Sequence, residues 1–219
     1  MFKLENIIRK NIVDLTPYSS AREEFMEDAS IWLDANENPF ETIVNRYPDP
    51  FQTALKMELS IIKGLQTNQI FIGNGSDEAI DLMFRAFCEP DKDKSYIFPP
   101  TYGMYEVSAK INNIETVKIN LKPDFQLPDK SDFIEKIDSA GLLFICSPNN
   151  PTGNTYSLKS IKEMASAFSG IVIVDEAYID FSSSMSAISL LNETPNLVVL
   201  NTLSKAYGLA GLRLGMAFA

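Results

Sequence analysis

The sequence predicts an α/β protein, three layers deep, with a mostly parallel sheet between two layers of helices. Three observations predict it. Wholly apolar runs such as Leu142-Leu143-Phe144-Ile145-Cys146 and Ile171-Val172-Ile173-Val174 are too short for buried helices and suit strands covered on both faces. These runs alternate with segments of helical periodicity, the rhythm of a sheet clothed by helices. Polar motifs follow the runs directly: Pro99-Pro100-Thr101-Tyr102, Ser147-Pro148-Asn149-Asn150-Pro151-Thr152-Gly153, Asp175-Glu176-Ala177-Tyr178 and Thr202-Leu203-Ser204-Lys205. Parallel strands bring four such motifs to one rim, where an open α/β sheet carries its chemistry.

The elements follow in order. Residues 1–50 read as an irregular N-terminal arm, because Asn38-Pro39 and Arg46-Tyr47-Pro48-Asp49-Pro50 bias the chain away from helix. Residues 51–219 form the main domain. A helix is expected over 52–63. Gly73-Asn74-Gly75-Ser76 then opens a longer one through Phe87, with Ile80, Phe84 and Phe87 on its apolar stripe. Ser76 suits the N-cap, and Asp77 and Glu78 suit the first turn, where acidic groups complement the helix dipole. Tyr96-Ile97-Phe98 is a strand, and a helix is expected over 102–110. Residues 116–119 alternate polar and apolar side chains, as an edge strand does. After the run at 142–146, a helix starts at Ser157 and ends near Phe168. Strands at 171–174, 197–200 and 214–218 complete the series.

Composition narrows the function. With 45% hydrophobic and 22% charged residues, the 219-residue chain has the balance of a soluble globular protein. Its 29 acidic and 19 basic residues leave a net charge of −10 without a basic cluster, which argues against nucleic acid. The start meets polar residues too soon for a signal peptide, and no apolar run reaches membrane-spanning length. Cys88 and Cys146 lie far apart in apolar surroundings, so they read as reduced core thiols of a cytoplasmic protein. There is no histidine. That removes Ser-His-Asp and Cys-His catalysis and every histidine-ligated metal site. No compact carboxylate cluster replaces them, and no metal is expected.

One residue stands out. Lys205 is isolated between the apolar runs at 197–200 and 214–218, which makes it a candidate for burial and reaction. Its amine can form a Schiff base with a carbonyl cofactor, while Thr202, Ser204 and Arg213 offer donors to a phosphate.

Seven motifs in register extend this reading. They are Pro17-Tyr18-Ser19-Ser20-Ala21-Arg22, Leu33-Asp34-Ala35-Asn36-Glu37-Asn38-Pro39, Arg46-Tyr47-Pro48-Asp49, Gly73-Asn74-Gly75-Ser76-Asp77-Glu78, Asn149-Asn150-Pro151-Thr152-Gly153, Asp175-Glu176-Ala177-Tyr178 and Thr202-Leu203-Ser204-Lys205, the last continuing to Arg213. In these the chain resembles the fold-type I aminotransferases dependent on pyridoxal 5'-phosphate, and within them the histidinol-phosphate aminotransferase branch of histidine biosynthesis.

The resemblance implies a role for each residue. Lys205 is the Schiff-base residue and proton carrier, and Asp175 faces the pyridine nitrogen. Asn150 and Tyr178 partner the phenolic oxygen, with the neighbouring Asn149 offering the same chemistry. Tyr102 stacks on the ring. The phosphate cup combines backbone amides of Ser76, Asp77 and Glu78 with Thr202, Ser204 and Arg213. Tyr47 reaches the phosphate in a neighbouring subunit, which implies a homodimer with shared sites. Tyr18 and Asn36 bind substrate, and Arg22 is either a third anion contact or a surface arginine. The partners implied are histidinol phosphate or imidazole-acetol phosphate, with glutamate or 2-oxoglutarate.

Length is the departure. Members of the family run well beyond 300 residues, so the rest of the large domain and the C-terminal small domain, with its substrate-gripping arginine, are expected to be missing. Turnover by this chain alone is expected to be weak or absent. Three alternatives stand beside the aminotransferase reading: a decarboxylase of a phosphorylated amino acid on the same fold, a cofactor-binding fragment without turnover, and a nicotinamide-binding domain. The last lacks the third glycine of its fingerprint.

Overall fold

A computed structural model describes residues 3–25 and 29–219, so residues 1, 2 and 26–28 of the expected 1–50 arm lie outside the described residues. The sheet has seven strands: β1 (Ile70–Asn74), β2 (Lys94–Ile97), β3 (Glu115–Lys118), β4 (Gly141–Cys146), β5 (Ile171–Asp175), β6 (Leu197–Thr202) and β7 (Leu214–Phe218). Their order is β1-β7-β6-β5-β4-β2-β3. The central strands pair in parallel, while β7 runs antiparallel to both β6 and β1. β3 is an edge strand, as its alternation predicts. Every residue of β4, β5 and β6 is buried.

The helices are α1 (Lys10–Val13), α2 (Ala21–Glu24), α3 (Thr53–Lys63), α4 (Ser76–Phe87), α5 (Met104–Ile111), α6 (Lys130–Ile134) and α7 (Leu158–Ala167). They clothe the sheet unequally. One face packs Ala79, Ile80 and Phe84 of α4 and Tyr105 and Ala109 of α5 against Leu142, Phe144, Ile173 and Leu200. The other packs Leu59 of α3, Phe133 of α6 and Ile161 and Met164 of α7 against Leu143, Val172, Val174 and Val199. Alternate residues of each central strand therefore feed two cores, the period-2 consequence of a doubly covered sheet.

Three sequence expectations are corrected. The run from Ile70 is a strand, β1, which the reading passed over because it leads straight into the glycine-rich motif. Ser76 is not the N-cap: Gly75 takes that place at φ 82°, a left-handed value that glycine adopts without a steric penalty, and Ser76 becomes the first helical residue. The helix expected over 102–110 starts later, at Met104. Ser157 does cap α7, its hydroxyl accepting from the Ser160 amide at 3.1 Å. Among the described residues no helix is long and apolar enough to cross a membrane.

Candidate active site

Strands β4, β5 and β6 end side by side. Cys146 is in register with Asp175, and Asp175 with Leu200, so the residues just past these strands share one rim. A cleft there is lined by Ser76, Asp77, Tyr102, Asn150, Asp175, Tyr178, Thr202, Ser204, Lys205 and Arg213, together with Cys146 and Ala177. Ten separately predicted residues thus meet in one depression.

Two glycines make the meeting possible. A Cβ on Gly215 would stand 2.1 Å from the Gly75 carbonyl carbon and the Ser76 nitrogen, so β7 presses its bare backbone on the turn that starts α4. A Cβ on Gly75 would stand 2.5 Å from Nη2 of Arg213. The guanidinium therefore lies against the α4 N-terminus, whose first amides have no partner within the helix. Arg213 itself adopts φ 53°, and its Nη1 donates to the Ala210 carbonyl at 3.3 Å. It forms no ion pair with a described residue, so its charge faces the cleft uncompensated. The Thr202 hydroxyl donates to the Leu214 carbonyl at 3.2 Å and accepts from the Ser204 amide at 3.2 Å, which fixes the Ser204 hydroxyl beside it at 3.0 Å. Arginine, two hydroxyls and a helix N-terminus form a strong anion cradle.

Asp175 stands opposite. It is 2% exposed, and burial raises its pKa, countered by the Tyr105 hydroxyl and the Ala177 amide, with Asp77 raising it and Lys205 lowering it. Tyr105 donates to Oδ2 at 2.7 Å and the Ala177 amide to Oδ1 at 3.0 Å. The sequence reading missed Tyr105. Its spacing of three from Tyr102 was the available signal, and the two rings meet edge to face at 5.6 Å.

Lys205 lines the cleft but is exposed, against the expectation of burial. The cause is local: it sits in the loop beyond β6, and among the described residues only the Tyr178 ring lies against its Nζ, 5.3 Å from the centroid.

The two asparagines separate cleanly. Asn149 is buried and committed to its turn, donating to the Pro100 carbonyl at 2.9 Å and to Thr152 Oγ1 at 2.6 Å while accepting from Thr101 Oγ1 at 3.0 Å. Asn150 is the one that reaches the cleft. Tyr102 borders it too, its hydroxyl donating to Asp77 Oδ1 at 3.2 Å; burial and Asp77 push its pKa up to about 12. Glu78 does not join them. Its amide donates to the Gly75 carbonyl at 3.3 Å, and its carboxylate turns back to the Asn74 amide at 2.5 Å, so neither group faces the cleft.

The arm stands apart from the cleft. Tyr18 is 90% exposed, Tyr47 is 67% exposed, and Asn36 is exposed; none lines the cleft. Arg22 is no free anion contact, because it forks onto Asp34 with two bonds of 2.8 Å and lies over Trp32 at 5.2 Å. Glu37 accepts from Arg46 at 2.8 Å and from the Tyr47 amide at 2.7 Å. These contacts tie Arg22, Asp34, Glu37, Arg46 and Tyr47 together. The start of the arm docks on the domain, the Arg9 amide donating to the Ala86 carbonyl at 2.9 Å and Ile7 packing on the core beneath α4, while large apolar side chains such as Leu33, Phe40 and Ile43 stay in solvent.

Comparison with known proteins gives the family. A family model, aminotransferase class I and II, matches residues 24–219. The chain is similar to histidinol-phosphate aminotransferase of Parabacteroides distasonis, with 53% identity covering 100% of this chain and 64% of that protein. It is also similar to the enzyme of that name in Cytophaga hutchinsonii, with 51% identity and coverages of 100% and 64%. The solved histidinol-phosphate aminotransferase of Clostridium acetobutylicum superposes with a TM-score of 0.69 at 26% identity, covering 80% of this chain and 52% of that one. The chain thus spans 64% of the length of these curated relatives.

Proposed function

The chain belongs to the class I and II aminotransferase family, and on that footing we propose that it carries the pyridoxal 5'-phosphate site of an enzyme moving an amino group between histidinol phosphate and 2-oxoglutarate. The observation that carries this reading is the cleft that gathers Lys205, Asp175 and an anion cradle around Arg213. The donor set fits the cofactor. The cradle matches a phosphate in charge, the buried carboxylate of Asp175 matches a protonated pyridine nitrogen, and Asn150 and Tyr178 lie beside Lys205 to meet a phenolic oxygen.

When bound, the cofactor supplies an aldehyde carbon and an electron-withdrawing ring. Arg213, Thr202, Ser204 and the Ser76 and Asp77 amides hold its phosphate. Asp175 holds a proton on the ring nitrogen. Tyr102 covers one ring face. Lys205 would be the residue that holds the cofactor through its aldehyde carbon, the aldehyde oxygen leaving as water, and its amine, once released by substrate, would move a proton at the substrate Cα. Tyr18, Asn36 and Tyr47 complete the site from the arm, with Tyr47 reaching the phosphate of a second copy. On this reading residues 1–50 are the arm and 51–219 the cofactor domain, and the arm's exposed tyrosines and uncovered apolar groups support a homodimer that covers them.

Borohydride reduction of the chain with pyridoxal 5'-phosphate tests the reading, and a peptide map should place the label on Lys205. Labelling elsewhere overturns it. In unreduced protein loaded with cofactor, histidinol phosphate, which has no carboxylate to lose, should bleach the cofactor band; a decarboxylase would instead keep that band and release carbon dioxide from an O-phosphorylated amino acid.

A further inference from the structure

Tyr105 is fully buried at 0% exposure, yet its hydroxyl points at Asp175, a carboxylate that lines the cleft. Its ring is pinned on two sides. Phe144 stacks on it at 4.5 Å and 14°, and Tyr102 meets it edge-on. A ring clamped in this way has no second rotamer to occupy. We propose that Tyr105 is a positioning residue for the reaction: its neutral hydroxyl holds Asp175 ionised and fixed in rotation, so that the free side of the carboxylate meets the ring nitrogen. The proposal rests on the cofactor reading above.

The physical argument has two parts. A carboxylate buried among apolar groups drifts toward its protonated form, and a protonated Asp175 would offer no counter-charge to keep a ring nitrogen protonated. A donor at 2.7 Å opposes that drift. The donor must also not titrate. Burial holds the Tyr105 phenol well above its usual range, so it stays a neutral donor where an imidazole would change charge. The chain contains no histidine to take this place. The other titratable groups near Asp175 are Asp77 from α4, Tyr102 just before α5, Cys146 from β4, the adjacent Glu176 and Lys205 from the loop after β6. Asp77 opposes ionisation and Lys205 favours it, leaving Tyr105 as the largest stabilising contact.

The test uses Tyr105→Phe, which keeps both ring contacts and removes only the hydroxyl. In the cofactor-free chain, the Asp175 carboxyl is followed by carbon NMR against pH, with its resonance assigned through Asp175→Asn. Its ionisation midpoint should rise in Tyr105→Phe and stay unchanged in Phe144→Leu, which loosens the ring without removing the donor. With cofactor, Tyr105→Phe should lower the limiting half-reaction rate about tenfold while leaving the substrate concentration for half-saturation unchanged, and shift the pH profile of the bound-cofactor band in the same direction as the carboxyl midpoint. An unmoved midpoint, or an equal shift in Phe144→Leu, overturns the proposal. A moved midpoint with an unaltered half-reaction and band also overturns it, while Lys205 labelling leaves the cofactor reading standing. Absence of any Lys205 adduct in the unmodified chain removes the cofactor reading itself.

Discussion

Asp175 and Glu176 are consecutive carboxylates, each 2% exposed and each accepting one hydroxyl and one backbone amide. The first ends β5 on the face covered by α4 and α5, while the second turns to the other face. There Glu176 accepts from Ser186 Oγ at 2.6 Å and from the Ala187 amide at 2.6 Å, tying down the loop after Tyr178. Burial pushes its pKa up to about 7. Burial and a displaced pKa therefore do not distinguish them. What does is the open side: the free edge of Asp175 meets a cleft holding Lys205, whereas the bonds of Glu176 end in packed protein. A perturbed acid marks a functional site only when something can reach it.

The widest separation between the two is expected in chemistry. Asp175→Asn should keep cofactor bound yet slow the histidinol-phosphate half-reaction by orders of magnitude, because the ring nitrogen loses its counter-charge. Glu176→Gln should leave that rate within about twofold. Single-turnover absorbance reads both, and equal losses would erase the contrast.

Stability should then separate them in the opposite sense. Because folding raises the pKa of Glu176 from 4.5 to about 7, the folded chain holds a proton that the unfolded chain has released between those values. Stability is therefore highest below pH 4.5 as far as this group is concerned, falls by about 3 kcal/mol through the window, and stays level above pH 7. Glu176→Gln should remove that decline in urea melts taken at several pH values. An unchanged slope would mean that the carboxyl titrates normally.

A smaller effect is expected where β7 meets the turn that starts α4. Gly215→Ala must push β7 off the α4 turn, at a cost of about 1–3 kcal/mol of stability. It should weaken cofactor phosphate binding without altering the Glu176 titration. A change of comparable size, in affinity rather than stability, is expected outside the domain. Tyr47→Phe should reduce cofactor affinity by the worth of one charge-assisted bond, about 1.5–3 kcal/mol at most. Dilution below the dimer constant should abolish the difference, as sedimentation and a binding titration would show.

The central strands were legible because each is a continuous apolar run, and the rim was legible because each run ends in a polar motif. β1 was not, since its last two residues, Gly73 and Asn74, belong to the glycine-rich motif and leave only Ile70-Phe71-Ile72 as an apolar run. Lys205 illustrates the limit of local patterning: apolar flanks place it beside the core, but only groups distant in sequence decide whether anything covers it. Asn150 could not be told from Asn149 until the turn claimed one of them. Tyr105 looked like any apolar-stripe aromatic, for its partner is 70 residues away. The family resemblance supplied roles that spacing alone does not.

β7 reaches back to β1, pairing Phe218 with Ile70 and Gly215 with Gly73. That contact closes a loop holding almost every other strand, and such distant pairings are entropically the slowest to form. Until it forms, nothing seats Gly215 on the α4 turn or brings Arg213 to Gly75. The anion cradle is thus a late product of folding: a chain still emerging from the ribosome can own Asp175, Asn150 and Tyr178 and have no place for a phosphate. Cofactor that grips the phosphate first would select chains that have completed their sheet.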